Sequence, residues 1–210
     1  MKYKVMIVED QTMPRELFEL RVQASERFEL ALSIDNAALA DVYCLRFPVD
    51  LILMDVITRD GENGLDAAAR IKRAFPQIKI IIVTSMPECS YLSRAREIGV
   101  ESFWYKEEQR ESLLDVMERT MAGESVYPDA TPELQLGLAS SYKFTDRELE
   151  VLREMTGGDT NQEIAERLHL SVASVKTHIL NMLEKTGFKN RTELAVRARE
   201  SGLVILNRKN

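Results

Sequence analysis

The first 122 residues alternate five times between a short apolar run and a helix-like stretch, and four of those runs stop on a polar residue. The runs are 4–8 (KVMIV), 28–33, 51–54 (LILM), 79–83 (KIIIV) and 102–105. Each is too short for a helix; 51–54 is apolar throughout, and 4–8 and 79–83 are apolar after a leading Lys, which is the pattern of parallel strands buried on both faces. The stretches between them read as helices. One begins near Pro14, with Leu17, Leu20 and Ala24 at helical spacing, and others cover 37–45, 64–74 (closed by Pro76), 91–98 (stopped by Gly99) and 112–121. Five strand–helix pairs predict an α/β doubly wound five-stranded parallel sheet. In such sheets the working site lies outside the carboxyl ends of the strands. The residues at those ends are the acid pair Glu9-Asp10, then Asp55, Thr84 and Lys106. The expectation is that they converge on one edge.

Each of these residues alone reads most simply as a polar strand end in solvent. Their conjunction, one per strand, is what points to chemistry. Three carboxylates in one place repel unless a cation sits among them, and Glu9, Asp10 and Asp55 offer the hard oxygen ligands that suit Mg²⁺. With the charge neutralised, Asp55 is free to act as a nucleophile toward a phosphoryl group. Lys106 then pairs with phosphoryl oxygens and the Thr84 hydroxyl donates to one. Positioning and charge neutralisation are most of what phosphoryl transfer requires.

The character of the chain changes after residue 122. Residues 123–142 hold Gly123, Pro128, Pro132 and Gly137 with no sustained period and read as a linker, with a short helical turn at 132–138. From Thr145 the pattern is wholly helical. Thr145 and Glu148 have capping-box spacing, and Gly157-Gly158 close that helix. Further helices follow at 160–168, 171–186 and 192–200, so 143–210 is expected to be an all-α four-helix domain. Helix 160–168 turns inward on Ile164, Ala165 and Leu168; His169-Leu170 makes a tight turn; Ser171 caps the next helix. In that helix Val175, Ile179, Met182 and Leu183 form the inward stripe, leaving Ser174, Lys176, Thr177, Asn181 and Lys185 outside. That is the layout of a helix-turn-helix. Charge agrees with it. A net of -6 hides an asymmetry: 143–210 holds twelve basic and ten acidic residues, against 16 and 24 in the rest. Within 171–191, Lys176, Lys185, Lys189 and Arg191 face Glu184 alone. Two units of opposite sign imply two different partners.

These strings resemble a known family. VMIVEDQ, DLILMD, IIIVTS and GVESFWYK match the strand ends of the receiver domain of two-component signalling, and the opening TDRELEVL with NQEIAERL, SVKTHI, NMLEKTG and KNRTEL matches the LuxR-type helix-turn-helix. The whole chain resembles the NarL/FixJ class of response regulators. The resemblance implies a flavodoxin-like receiver over 1–122 and a LuxR-type DNA-binding domain over 143–210. It implies phosphorylation of Asp55 by a sensor histidine kinase, and Mg²⁺ held by Glu9, Asp10 or both, by Asp55 and by the backbone carbonyl of Ile57. It gives Phe103 the role of a switch aromatic beside Thr84 and Lys106. It places base contacts on Lys176 and Thr177, with Leu180 or Asn181 beside them, and phosphate contacts on Thr160 or Asn161, Lys185, Lys189 and Arg191. It gives the last helix, through Leu194, Ala195 and Ala198, the pairing of two copies into a homodimer on double-stranded DNA, with RNA polymerase as a further partner. The chain departs from the family pattern in DVITRDGENG, one residue longer than usual and lacking Met-Pro, in Glu107 after the lysine, and in Thr186 where Leu is common.

Other classes are disfavoured. An aspartyl-phosphate phosphatase needs a second carboxylate two residues after its nucleophile, and that position is Ile57. A receiver governed by protein contacts without phosphate is the remaining alternative, and the loop after Asp55 is what recommends it. His169 and His178 are the only histidines, and His178 reads as structural or phosphate-facing; Cys44 and Cys89 lack metal spacing and read as thiols in a reducing compartment. No apolar run reaches a membrane span, and MKYKVMIVEDQ turns acidic too soon for a secretory signal, so a cytoplasmic protein is expected; the receiver resemblance implies that it takes up and slowly loses its own phosphoryl group and is not an enzyme.

Overall fold

The computed structural model describes residues 2–59, 63–85, 90–106 and 112–204. Among these, the chain divides into one unit ending at Ala130 and a second beginning at Thr131.

The first unit runs β1 (Tyr3–Val8), α1 (Thr12–Gln23), β2 (Phe28–Ile34), α2 (Ala40–Arg46), β3 (Leu51–Met54), α3 (Gly64–Ala74), β4 (Lys79–Thr84), α4 (Ser90–Ile98), β5 (Ser102–Tyr105) and α5 (Leu113–Ala122). A 3₁₀ turn at Ala37–Leu39 precedes α2, capped by the Asn36 side chain. All pairings are parallel, in the order β2-β1-β3-β4-β5. This is the expected doubly wound sheet with the flavodoxin-like strand order. Alternate residues feed opposite faces. Val5, Ile7, Leu51, Leu53, Ile81, Val83 and Trp104 pack with Phe18 and Val22 of α1 and Val116 and Met117 of α5. Met6, Ile52, Met54, Ile80, Ile82 and Phe103 are buried as well, so the central strands are covered on both faces.

The α1 stripe differs from expectation. Leu17 and Leu20 are 46% and 63% exposed, whereas Phe18 and Val22 are buried. The helix carries apolar residues on two sides. The side that turns inward holds the aromatic ring, which meets the indole of Trp104 edge-on at 6.4 Å.

The second unit contains a hairpin of β6 (Gln135–Leu136) and β7 (Ala139–Ser140), a 3₁₀ turn at Ser141–Lys143, and helices α6 (Asp146–Thr156), α7 (Asn161–Arg167), α8 (Val172–Thr186) and α9 (Arg191–Glu200). The helical turn expected at 132–138 is therefore a hairpin. Gly137, at φ +61°, opens its two-residue loop, a position where left-handed backbone matches strand twist. Each helix starts on a side-chain cap, Thr145, Thr160, Ser171 and Asn190, and the Thr145/Glu148 box forms as expected. His169, at φ +53°, turns the chain between α7 and α8. The core gathers Leu149, Leu152, Met155, Ile164, Ala165, Val175, Ile179 and Met182 with Leu194 and Ala198 of α9.

Candidate functional site

Parallel strands in register bring their carboxyl ends level, so residues far apart in the chain arrive together. The Asp55 N–H donates to the Val8 carbonyl (2.9 Å) and the Lys106 N–H to the Thr84 carbonyl (2.9 Å), and the in-register pairing of β3 with β4 brings these two pairs of strand ends to one edge. Asp55 is 4% exposed and Glu9 1%. Lys106 Nζ donates to Glu9 Oε2 (2.6 Å) and to Asp55 Oδ2 (2.9 Å), while Asp55 Oδ1 accepts from the Val56 N–H (2.7 Å). Oxygens of Glu9, Asp10 and Asp55 lie within 4.8 Å of one another. Thr84 is fully buried at the same edge, and Phe103 is buried on β5 three residues before Lys106. The expected constellation is thus assembled.

One ammonium does not balance three carboxylates. Burial first, and then Asp55, push the Glu9 carboxyl up to about 7 against the pull of Lys106. Burial likewise raises Asp55. Burial lowers the Lys106 ammonium, but Asp55 and Glu9 outweigh it and hold its proton more tightly than usual. Crowded, desolvated hard oxygens of this kind fit a small divalent cation that keeps some of its water, as Mg²⁺ does. Ile57 pairs with Asn63 across the loop, and the bond beside this bridge runs from the Gly64 N–H to the Val56 carbonyl (2.8 Å), engaging Val56 rather than the carbonyl of Ile57. The Thr58 hydroxyl is buried and accepts from the Ala37 N–H (3.0 Å). The middle of the lengthened loop, 60–62, and Glu107 and Cys89 lie outside the described residues. Burial raises the Cys44 thiol to about 11, as suits an inert side chain.

In the second unit α8 presents Lys176, Thr177, Leu180 and Asn181 along its outer face, with Lys189 exposed beyond its end. Other expected contacts are placed differently. Lys185 Nζ donates to both Glu148 oxygens (2.8 and 2.6 Å) and to the Lys143 carbonyl (2.9 Å), so its protons are committed inside the domain. Arg191 donates to Asn161 Oδ1 (2.9 Å) and the Asp159 carbonyl (2.7 Å), tying the start of α9 to the start of α7. The Thr160 hydroxyl donates to Glu163 in the cap of α7. Leu194 and Ala198, expected to pair two copies, are wholly buried in this domain's own core, with Ala195 packed against it. Four short helices leave a core too small to do without them. The outward apolar residue of α9 is Val196, 49% exposed.

Glu148 was legible only as a capping residue. Burial pulls its carboxyl up, but the bonds from Lys185 and Thr145 outweigh this and hold it below its ordinary 4.5. A depressed folded-state value adds stability above the unfolded value, and that stability is lost as pH falls through the folded one. Acid unfolding of the helical unit should therefore shift upward in pH in Lys185→Ala, with about 2 kcal/mol lost at neutral pH; the partly exposed ammonium tempers the usual cost of orphaning a buried charge. Circular dichroism against pH measures it, and a curve that superposes on the parent's would dispose of the clamp.

Known proteins agree with this division. Residues 5–118 match the family model described as response regulator receiver domain, and residues 142–198 match that described as bacterial regulatory proteins, luxR family. The response regulator protein VraR of Staphylococcus epidermidis is 31% identical over 97% of this chain and 100% of its own length, and VraR of Staphylococcus aureus is equally similar. Among solved structures, two RcsB dimers bound to two parallel DNAs align with a TM-score of 0.62 at 18% identity, covering 95% of this chain and 98% of that one. RcsB of Salmonella enterica serovar Typhimurium, bound to a promoter in the presence of the phosphomimetic BeF3−, aligns at 0.62 and 19% identity, covering 97% and 100%. No helix among the described residues is long and apolar enough to cross a membrane. The chain belongs to the DNA-binding response regulators that join a receiver domain to a LuxR-type helix-turn-helix.

Proposed function

We propose that this response regulator is switched by phosphorylation of Asp55, with a sensor histidine kinase as donor, and that the phosphorylated form binds DNA as a homodimer. The observation that carries the reading is the buried Asp55 carboxylate, hydrogen-bonded to Lys106 and grouped with Glu9 and Asp10 at the carboxyl edge of the sheet. An oxygen of Asp55 attacks the phosphorus of the donor; the new O–P bond forms as the bond to the donor's nitrogen, or to the oxygen of a small acyl phosphate, breaks. Glu9, Asp10, Asp55 and the Ile57 carbonyl would hold Mg²⁺, which when bound supplies the positive charge that offsets the crowded carboxylates and the incoming phosphoryl oxygens. Lys106 exchanges its bond to Asp55 for one to a phosphoryl oxygen, and the Thr84 hydroxyl donates to another. Phe103, on the strand of Lys106, follows. The protein is no enzyme in this reading: it takes up and slowly loses its own phosphoryl group. Its setting is the cytoplasm, and its partners are the kinase, duplex DNA and RNA polymerase.

Incubation with acetyl phosphate and Mg²⁺ should produce one retarded species on a Phos-tag gel; absence of any retarded species would sink the reading. For the reader, Lys176→Ala should cost about 1–3 kcal/mol of specific DNA affinity, roughly fivefold to 150-fold, and leave uptake at Asp55 intact. Specific binding at parental strength would show that another helix reads the bases.

A further inference from the structure

β5 is an edge strand of the sheet, and unpaired edge groups invite a partner. The partner is the start of the linker. The Phe103 N–H donates to the Val126 carbonyl (2.8 Å), the Val126 N–H to Ser102 Oγ (3.1 Å), and the Ser125 hydroxyl to the Glu101 carbonyl (2.8 Å). Tyr127 completes the seam. Its hydroxyl donates to the Val100 carbonyl (2.8 Å), its ring lies 6.2 Å from that of Phe103, and the Arg96 guanidinium of α4 sits over it, 4.6 Å from the ring centre. Burial pushes the phenol up to about 12, so it remains a donor throughout the physiological range.

The strand that receives these bonds is the one that ends in Lys106, whose ammonium holds Asp55 and Glu9. The ammonium that holds Asp55 and the Phe103 amide that binds Val126 are thus borne by one short strand and the residue that ends it, three positions apart. The far end of the linker is fastened too. Within the helical unit the Leu138 N–H donates to the Thr186 carbonyl (2.9 Å) at the last turn of α8. Gly137 comes so close that a Cβ there would stand 2.2 Å from the same oxygen. The hairpin thus grips the helix that carries Lys176 and Thr177. Only residues 128–134 (PDATPEL) separate the two fastenings, and Pro128 and Pro132 stiffen that stretch.

We propose that residues 124–140 are the transmission element of the switch, fastened to β5 by Tyr127 and to the recognition helix by the Gly137-Leu138 turn, so that a change at Asp55 reaches α8 through the chain itself. The proposal rests on the phosphorylation reading above and adds a path to it. Tyr127 is a positioning residue in this device and takes no part in holding the phosphoryl group or the DNA.

The test uses the full chain, with a duplex selected from a random pool. Two variants are compared with the parent: Tyr127→Ala, and an insertion of Gly-Ser-Gly-Ser after Ala130 that leaves every fastened residue unchanged. Both should take up phosphoryl from acetyl phosphate like the parent and bind DNA like the parent without it. Their phosphodonor-dependent gain in affinity, about 5–150-fold for coupling of ordinary size, should fall below about twofold. Tyr127→Phe, which keeps the ring, should retain most of the gain. Fluorescence of Trp104 checks that each variant is folded. A parent that takes up no phosphoryl group overturns the phosphorylation reading and this proposal together. A parent that responds while the insertion variant keeps its full gain overturns this proposal alone, and a full gain in folded Tyr127→Ala removes Tyr127 as the fastening. Should Tyr127→Ala fail to fold, the insertion variant decides by itself.

Discussion

Asp55→Asn should abolish phosphoryl uptake and, in buffer free of divalent cations, raise the thermal stability of the receiver. The loss of uptake follows from removing the nucleophile. The gain in stability follows from the charges around it. Glu9, Asp10 and Asp55 crowd within 4.8 Å, and Lys106 supplies one compensating charge. Folded-state values of Glu9 and Asp55 lie above their ordinary ones, so the folded protein binds more protons than the unfolded chain. Stability then declines as pH rises from the ordinary carboxylate range to about 7, where Glu9 loses its proton. An amide at 55 removes one negative charge, can still accept from Val56, and leaves Lys106 to Glu9. The gain should be of order 1–2 kcal/mol, or roughly 3–8 °C in Tm. Saturating Mg²⁺ stabilises the parent by mass action and should narrow or reverse the difference. Trp104 lies in the receiver and is the chain's only tryptophan, so its fluorescence follows this transition specifically. A lower Tm for the variant in cation-free buffer would refute the electrostatic account.

Gly64→Ala should be the more damaging change, although it adds one methyl group. A Cβ on Gly64 would stand 1.8 Å from the Asp55 carbonyl oxygen and 2.9 Å from its carbon. Both are main-chain atoms, and no rotamer relieves the overlap. The first turn of α3 is held beside this spot by the Gly64–Val56 bond, and the Asn63 side chain caps that turn by accepting from the Leu65 N–H (2.8 Å). Either α3 withdraws or the Asp55 main chain moves. The expected cost is about 3 kcal/mol, with phosphoryl uptake slowed sharply because the nucleophile is displaced. Gly123→Ala is the control. That residue ends α5 at φ +100° with nothing within 4 Å of a Cβ, so it should cost roughly 1 kcal/mol and leave uptake unchanged. Urea unfolding followed at Trp104 and Phos-tag mobility read both effects; parental behaviour of Gly64→Ala would contradict the close approach of α3 to the Asp55 main chain.

The sheet, its strand ends and the order of the helices were legible in the amino-acid order alone. Buried parallel strands write themselves as unbroken apolar runs, and a polar residue that ends a run is visible as such. Once the sheet is parallel, its topology alone sends Glu9, Asp10, Asp55, Thr84 and Lys106 to one edge. Caps are local as well, which is why Thr145 and Ser171 were legible. Packing settled which of two apolar sides a helix turns inward, as with Phe18 over Leu17. It decided that Leu194 and Ala198 serve their own domain's core, and that Lys185 and Arg191 spend their charges inside it. It also decided that Gly64 lies against the Asp55 main chain, and that a linker with no period becomes an edge seam and a hairpin. In each case the outcome depends on what lies across a packing interface from a distant part of the chain. Periodicity and spacing report a residue's neighbours along one element and carry nothing about the surface that element will meet.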